Sequence, residues 1–236
     1  MNSEHLIIFV KNPVPGKVKT RIARTVGNEV AVAVYEHLLA YTQQVAAAFA
    51  ASEPGNVNRW IVVYYGDFIN PDDGWNGFGK QLQTGNSALA NDLGHRMLTA
   101  FREQFSAGGT DFRAGRVVII GSDCLDLTPD HLNRAFAALD TADVVIGPAT
   151  DGGYYLLGMS RLHPALFADT LPWSQPDLRA RTEAIIRENG LTLMLLDELT
   201  DIDEWADYEH HPARQPNRTG GPATEPVRRC DSPAQL

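Results

Sequence analysis

Between Glu4 and Glu29 the chain carries no carboxylate, and the same stretch holds Lys11, Lys17, Lys19, Arg21 and Arg24. The 236-residue chain has a formal net charge of −9, so this stretch is a local reversal of sign. Four of the cations belong to one loop, Lys11-Asn12-Pro13-Val14-Pro15-Gly16-Lys17-Val18-Lys19-Thr20-Arg21, which directly follows the apolar run Leu6–Val10. A cationic loop between a strand and a helix suits phosphate, because side-chain charge, backbone N–H groups and the helix dipole act together. Lys11, Lys17, Lys19 and Arg21 are therefore candidate phosphate ligands, with Pro15 and Gly16 shaping the loop around them. The plain alternative is a solvated basic surface loop.

Lys19-Thr20 resembles the end of a Walker A loop, but the glycines that build that cradle are missing. Val18 precedes the lysine and Pro13 stands at the first glycine position. Proline has no N–H to donate, and valine resists the positive φ angles such a cradle uses. The loop also lacks G-x-G-x-x-G, the dinucleotide pattern.

Two further polar clusters follow apolar runs. Gly121-Ser122-Asp123-Cys124-Leu125-Asp126 follows Val117–Ile120, and Gly147-Pro148-Ala149-Thr150-Asp151-Gly152-Gly153 follows Val144–Ile146. Carboxylates placed at one rim with phosphate-binding cations describe a site for a Mg²⁺- or Mn²⁺-bound nucleotide. Asp123 is the leading metal candidate. Asp126 is either a second ligand or a turn cap, and Ser122 joins the phosphate-binding set. Asp151 is either a catalytic base or the closing side chain of an Asx-turn. Cys124 has no histidine near it in sequence and reads as a buried thiol. Ser122 lacks the G-x-S-x-G elbow of a serine hydrolase.

The elements that must position these residues are legible from periodicity. Apolar, β-rich runs recur at Leu6–Val10, Trp60–Tyr65, Val117–Ile120, Val144–Ile146, Tyr154–Leu157 and Leu193–Leu196. Most are continuous rather than alternating, as in strands covered on both faces. Helical patterns lie between them, at Ala31–Ala50, Ala90–Phe105, after Thr128-Pro129-Asp130, and at about Asp177–Asn189 before Gly190. This alternation predicts an α/β fold, a doubly wound, mostly parallel sheet in three α/β/α layers. In such sheets ligands sit beyond the carboxyl ends of the strands, where all three clusters fall.

With 44% hydrophobic residues, residues 1–209 are expected to form one domain. From His210 the chain turns rich in Pro, Gly and Arg, and 210–236 is expected to be a disordered tail. No apolar run nears the roughly 20 residues of a membrane span, and no secretory signal pattern opens the chain. Cys124 and Cys230 lie far apart, which fits a reducing cytoplasm. The acidic balance speaks against general nucleic-acid binding and leaves a small phosphorylated ligand as the expected partner.

Taken in order, the basic loop, Asp92-Leu93-Gly94-His95-Arg96-Met97, Gly121-Ser122-Asp123-Cys124 and Gly147-Pro148-Ala149-Thr150-Asp151-Gly152-Gly153-Tyr154-Tyr155-Leu156 resemble a known bacterial family. It comprises nucleotide-diphospho-sugar transferase-like proteins of GT-A fold, long described only as a domain of unknown function and including arsenosugar-biosynthesis glycosyltransferases. The resemblance spans about residues 5–208 and implies a Mg²⁺ or Mn²⁺ cofactor on Asp123, with Asp126 as a second candidate. Related nucleotidyltransferases, for molybdenum cofactor and phospholactate, carry another ligand in a late D-x-D-T-P-x-D-L segment. Here it reads Asp201-Ile202-Asp203-Glu204-Trp205-Ala206-Asp207-Tyr208, which implies Asp203 although Glu204-Trp205 replaces Thr-Pro. Leu125 likewise stands where the family has proline.

Three functions follow from the resemblance. A glycosyltransferase would take a nucleotide-diphospho-sugar and a small-molecule acceptor, with Asp151 as base and Gly152, Gly153 and Tyr154 on the acceptor side. A nucleotidyltransferase would take an NTP and a phosphorylated small molecule, which the loop's cations suit. Its glycine-rich signature, L-x-G-G-x-G-x-R, is absent here, which favours the first reading. A catalytically silent nucleotide-binding protein is the third.

Overall fold

Leu6, Ile7, Ile8 and Val10 are almost wholly withdrawn from water, because β1 (Ser3–Val10) runs through the middle of a sheet covered on both sides. The computed structural model describes residues 3–52, 57–85, 93–106 and 115–214. Among these, seven strands form one sheet in the order β3-β2-β1-β4-β6-β5-β7. The others are β2 (Asn58–Tyr65), β3 (Gly79–Leu82), β4 (Arg116–Ile120), β5 (Val144–Pro148), β6 (Tyr154–Met159) and β7 (Leu193–Leu195). Pairing is parallel except at β6, which runs antiparallel to both β4 and β5. The mixed, mostly parallel sheet matches the reading from sequence.

Alternation along each strand feeds two separate cores. Leu6, Ile8 and Val10 meet Val45, Ala46 and Phe49 of α2 (Asn28–Ala51) and Leu132 and Phe136 of α4 (Pro129–Ala138). Ile7 faces the other way, towards Met97 and Phe101 of α3 (Leu93–Ser106) and Leu178 and Ile186 of α5 (Leu178–Glu188). These are the three expected layers. A third cluster joins Ile22 of α1 (Thr20–Val26), Tyr35 and Leu38 of α2, Leu125, Ile202, and Tyr208 of α6 (Trp205–Glu209).

Local chemistry sets the element ends. Thr128 caps α4 and forms a reciprocal box with His131, with Pro129 in the first turn. Gly190, at φ 66°, follows α5. β3, Gly79-Lys80-Gln81-Leu82, has no apolar run and lies at one edge of the sheet. Residues 86–92, with the expected Ala90 helix start and Asp92, lie outside the described residues. So do Cys230 and 215–236 of the expected tail, whereas 210–214 are described. No described helix is long and apolar enough to cross a membrane.

At the amino end of β1, Glu4 is buried between Arg59 (2.8 Å) and Arg116 (3.0 Å), a paired charge far from the other rim. At the carboxyl rim, register brings the strand ends level: Val10 pairs with Tyr65, and Ile8 with Ile120. The loops after β1 and β4 therefore begin side by side.

Candidate active site

The loop after β1 turns twice. Lys17 N donates to Val14 O at 3.0 Å across Pro15-Gly16, and Gly16 has φ 77°, the arrangement a type II turn requires of proline and glycine. This turn leaves Pro15, Gly16 and Lys17 exposed and outside the walls of the cleft described below. Val18 then buries itself beside Ile22, and the chain passes through Lys19 in a left-handed conformation, φ 43°. That geometry sends the Lys19 side chain inward, where it is 7% exposed.

Lys19 Nζ lies 2.8 Å from Asp123 Oδ1, 3.7 Å from Asp203 Oδ1, and donates to Ile202 O at 2.6 Å. The ammonium expected to hold phosphate is thus held by carboxylates. Arg21, 63% exposed, contacts Asp203 Oδ2 at 3.2 Å and keeps its remaining donors towards solvent. Lys11 lines the cleft, and its backbone N donates to Tyr35 Oη at 2.8 Å. The same hydroxyl lies 3.2 Å from Ser122 Oγ, so Ser122 is engaged in tying the β4 loop to the β1 loop. Burial, and then the Asp123 charge, raise the Tyr35 phenol above its ordinary value, and it stays neutral.

Asp201 and Asp203 arrive on the segment after β7. Leu196 N bonds Ile146 O (2.9 Å), Leu199 N bonds Pro148 O (3.0 Å) and Ile202 N bonds Asp123 O (2.8 Å). Ile202 is fully buried beside Val18, and the aspartates on either side of it both line the cleft. Asp201 was legible in sequence only as part of the late motif; the i, i+2 spacing about a buried isoleucine is the signal that marks it. Burial raises its pKa to about 7, the Asp123 charge adds to this, Lys19 opposes it, and Asp151 and Asp203 add further. Asp201 thus feels the negative charge of Asp123, Asp151 and Asp203, which Lys19 only partly offsets.

The three expected metal ligands are not all brought together. Asp123 and Asp203 converge, whereas Asp126 turns away to His211 Nε2 at 3.1 Å and does not line the cleft. Leu125, 2% exposed, enters the third core and sends its neighbour to the far side. Among the described residues no three His, Cys, Asp or Glu side chains converge as a ready-made metal cage. A magnesium-type cation needs only one or two protein carboxylates beside phosphate and water. Asp123 and Asp203 fit that role: both line the cleft, 42% and 40% exposed, and both reach the same Lys19 ammonium.

Across the cleft, Asp151 Oδ1 accepts Gly153 N at 2.8 Å, so the Asx-turn is made, and Asp151 also lines the cleft. Gly152, at φ 89°, is there for packing: a Cβ on it would stand 1.9 Å from Pro176 O. Gly153 and Tyr154 line the cleft, and Tyr154 also packs on the α3/α5 core. Tyr155 enters the opposite core and donates to Asp197 O at 3.1 Å.

These groups enclose a cleft of about 530 Å³. One end is ionic, and the other is walled by Phe9, Met97, Trp173 and Leu178. A smaller recess of about 230 Å³ adjoins it and shares Arg21, Asp151, Asp201 and Asp203. The Cys124 thiol, pushed up to about 12 by burial and then by Asp201, is protonated and inert.

The chain and its fold have relatives. The model of the DUF2064 family, described as an uncharacterized protein conserved in bacteria, matches residues 33–175. A crystal structure from Desulfovibrio desulfuricans, of a protein provisionally described as a nucleotide-diphospho-sugar transferase, is 31% identical with a TM-score of 0.72. The match covers 86% of this chain and 84% of that one. A nucleotidyl transferase from Methanothermobacter thermautotroptrophicus matches at 17% identity and TM-score 0.55, over 89% of this chain and 95% of that one. The 4-diphosphocytidyl-2C-methyl-D-erythritol synthase of Anaerococcus prevotii matches at 8% identity and TM-score 0.52, over 87% and 94%. These last two share the fold alone. No curated protein matches the chain. With more than half its length matched and the D. desulfuricans protein so similar, the chain belongs to the bacterial DUF2064 family and has the nucleotide-diphospho-sugar transferase fold.

Proposed function

We propose that this protein is a metal-dependent glycosyltransferase that takes a nucleotide-diphospho-sugar donor and a small-molecule acceptor. The observation that carries this reading is the convergence of Lys11, Lys19 and Arg21 with Asp123, Asp151, Asp201 and Asp203 on one cleft. Of the loop's lysines, Lys17 faces away and Lys19 is committed to Asp123. Lys11 and Arg21 remain for the ligand, a pair of cations suited to a diphosphate.

Asp123 and Asp203 hold the divalent cation in this reading. A bound Mg²⁺ or Mn²⁺ supplies neutralisation of the charge that gathers on the departing diphosphate. Lys11 and Arg21 grip the phosphate oxygens and keep the bond to the anomeric carbon in line. Asp151 takes the proton from the acceptor hydroxyl as its oxygen bonds the anomeric carbon and the carbon–phosphate-oxygen bond breaks. Asp151 also lines the adjoining recess, which gives the acceptor a way to it.

A second reading, nucleotidyl transfer from an NTP to a phosphorylated small molecule, draws on Lys19. Released from Asp123, its ammonium would be a third cation for a triphosphate. Product analysis with panels of NTPs and nucleotide-diphospho-sugars separates the two. Released nucleoside diphosphate supports the proposal, and released pyrophosphate supports the alternative. Tight binding with no turnover of either panel would contradict both.

A further inference from the structure

Two described non-glycine residues have a left-handed backbone, Lys19 at φ 43° and Ser174 at φ 62°, and both line the cleft. Lys19 belongs to the ionic end. Ser174 lies in Pro172-Trp173-Ser174-Gln175-Pro176, which the phosphate chemistry leaves without a role. A left-handed serine is an uncommon conformation that its surroundings must enforce.

Here the enforcement comes from glycines on two other elements. A Cβ on Gly94 of α3 would stand 2.4 Å from the Trp173 indole, so that ring packs where only glycine leaves room. A Cβ on Gly152, beside Asp151, would stand 1.9 Å from Pro176 O. Arg179 N donates to Gly152 O at 3.0 Å, Trp173 Nε1 to Ala168 O at 3.3 Å, and Gln175 N to Pro172 O at 3.0 Å. Both flanks of the segment are thereby pinned. Between them Ser174 and Gln175 stay exposed on the cleft wall shared with Asp151, Gly153 and Tyr154.

We infer that Ser174 and Gln175 bind the sugar of the donor. The inference rests on the sugar-transfer reading and names the residues that would recognise the transferred group. A hydroxyl and a carboxamide each donate and accept hydrogen bonds without charge, as sugar hydroxyls do. Lys11, Lys19 and Arg21 come from the loop after β1 and the start of α1, a different element of the cleft wall.

The test uses the full chain with Ser174→Gly and Gln175→Ala, and calorimetric titration in the presence of Mn²⁺ with UDP, GDP, CDP, ADP and dTDP. Each diphosphate is paired with a sugar conjugate, glucose throughout except mannose for GDP. Glycine accepts the left-handed backbone and removes only the hydroxymethyl group, so Ser174→Gly should keep or raise the melting temperature. Both variants should bind the free diphosphate as wild type does and lose about tenfold on the conjugate that wild type prefers. An unchanged ratio of conjugate to diphosphate affinity in both variants overturns the inference and leaves the sugar-transfer reading standing. A wild-type protein that prefers no conjugate over its free diphosphate overturns both.

Discussion

Lys19 Nζ stands 2.8 Å from Asp123 Oδ1, so the cation expected to hold phosphate and the carboxylate expected to hold metal are each other's partners. Asp203 approaches the same ammonium from the other side at 3.7 Å. An internal cation held between two carboxylates competes with any external cation for them.

Lys19→Met should therefore tighten Mn²⁺ binding by about tenfold, because the competitor is gone while both oxygen ligands remain. Without metal the same change leaves the carboxylates facing one another. Their partial exposure limits the cost to about 1–2 kcal/mol. Calorimetric Mn²⁺ titration, with melting curves in EDTA, measures both effects. Weaker Mn²⁺ binding in the variant would mean that Lys19 supports the metal site rather than occupying it.

Arg21 and Lys17 should separate cleanly as phosphate ligands. Arg21 lines the cleft with donors to spare, whereas Lys17 lies beyond the Pro15-Gly16 turn. Arg21→Ala should weaken nucleoside diphosphate binding by about tenfold, the scale of one charge-assisted contact. Lys17→Ala should leave it unchanged. Equal losses in the two variants would place the phosphates along the outer loop instead.

Asp201 makes stability fall as pH rises. Its carboxyl is raised to about 7 in the folded chain, first by burial and then by Asp123. The unfolded carboxyl titrates near its ordinary value of about 4. Between these values the folded state holds a proton that the unfolded state has lost, so stability declines from about pH 4 to about pH 7 and then levels. In EDTA, Asp201→Asn should flatten this decline and raise the melting temperature at pH 8. A wild-type decline that survives the substitution would assign it to other groups.

How much of this could be read from sequence depended on whether a feature was local. Strands covered on both faces appear as continuous apolar runs, so β1, β4, β5 and β6 are legible, and the half-covered β2 and the exposed edge strand β7 happen to carry such runs too. Edge strand β3 had no such run to show. The basic loop was visible as a sign reversal, and the Thr128-Pro129 helix start as a capping pattern. What the lysines point at was not visible, because it depends on the left-handed turn at Lys19 and on a segment that returns from beyond β7. Asp126 failed to join the site for a similar reason. Buried Leu125 sets its direction, and its partner His211 lies at the far end of the chain. The late motif contains Asp201 but does not single it out, because one isoleucine between two aspartates is a weak pattern until the fold buries Ile202.

Asp151 carries both a turn bond and a place on the cleft wall, and the two can be pulled apart. Asparagine keeps the acceptor oxygen for Gly153 N and loses the base. Asp151→Asn should leave nucleotide affinity and melting temperature near wild type and lower turnover by about 10²-fold or more. Wild-type turnover in this variant would leave Asp151 with the turn alone.

If Asp123 and Asp203 hold a divalent cation together with a nucleotide diphosphate in the cleft beside Arg21, nucleotide binding depends on both the metal and Asp123. The most direct measurement is the melting-temperature shift produced by nucleoside diphosphates with and without Mn²⁺, in wild type and in Asp123→Asn. A ligand bound by the native state alone must raise that temperature. The account predicts a nucleotide shift in wild type that requires Mn²⁺ and vanishes in Asp123→Asn. A full Mn²⁺-dependent shift in Asp123→Asn would contradict it.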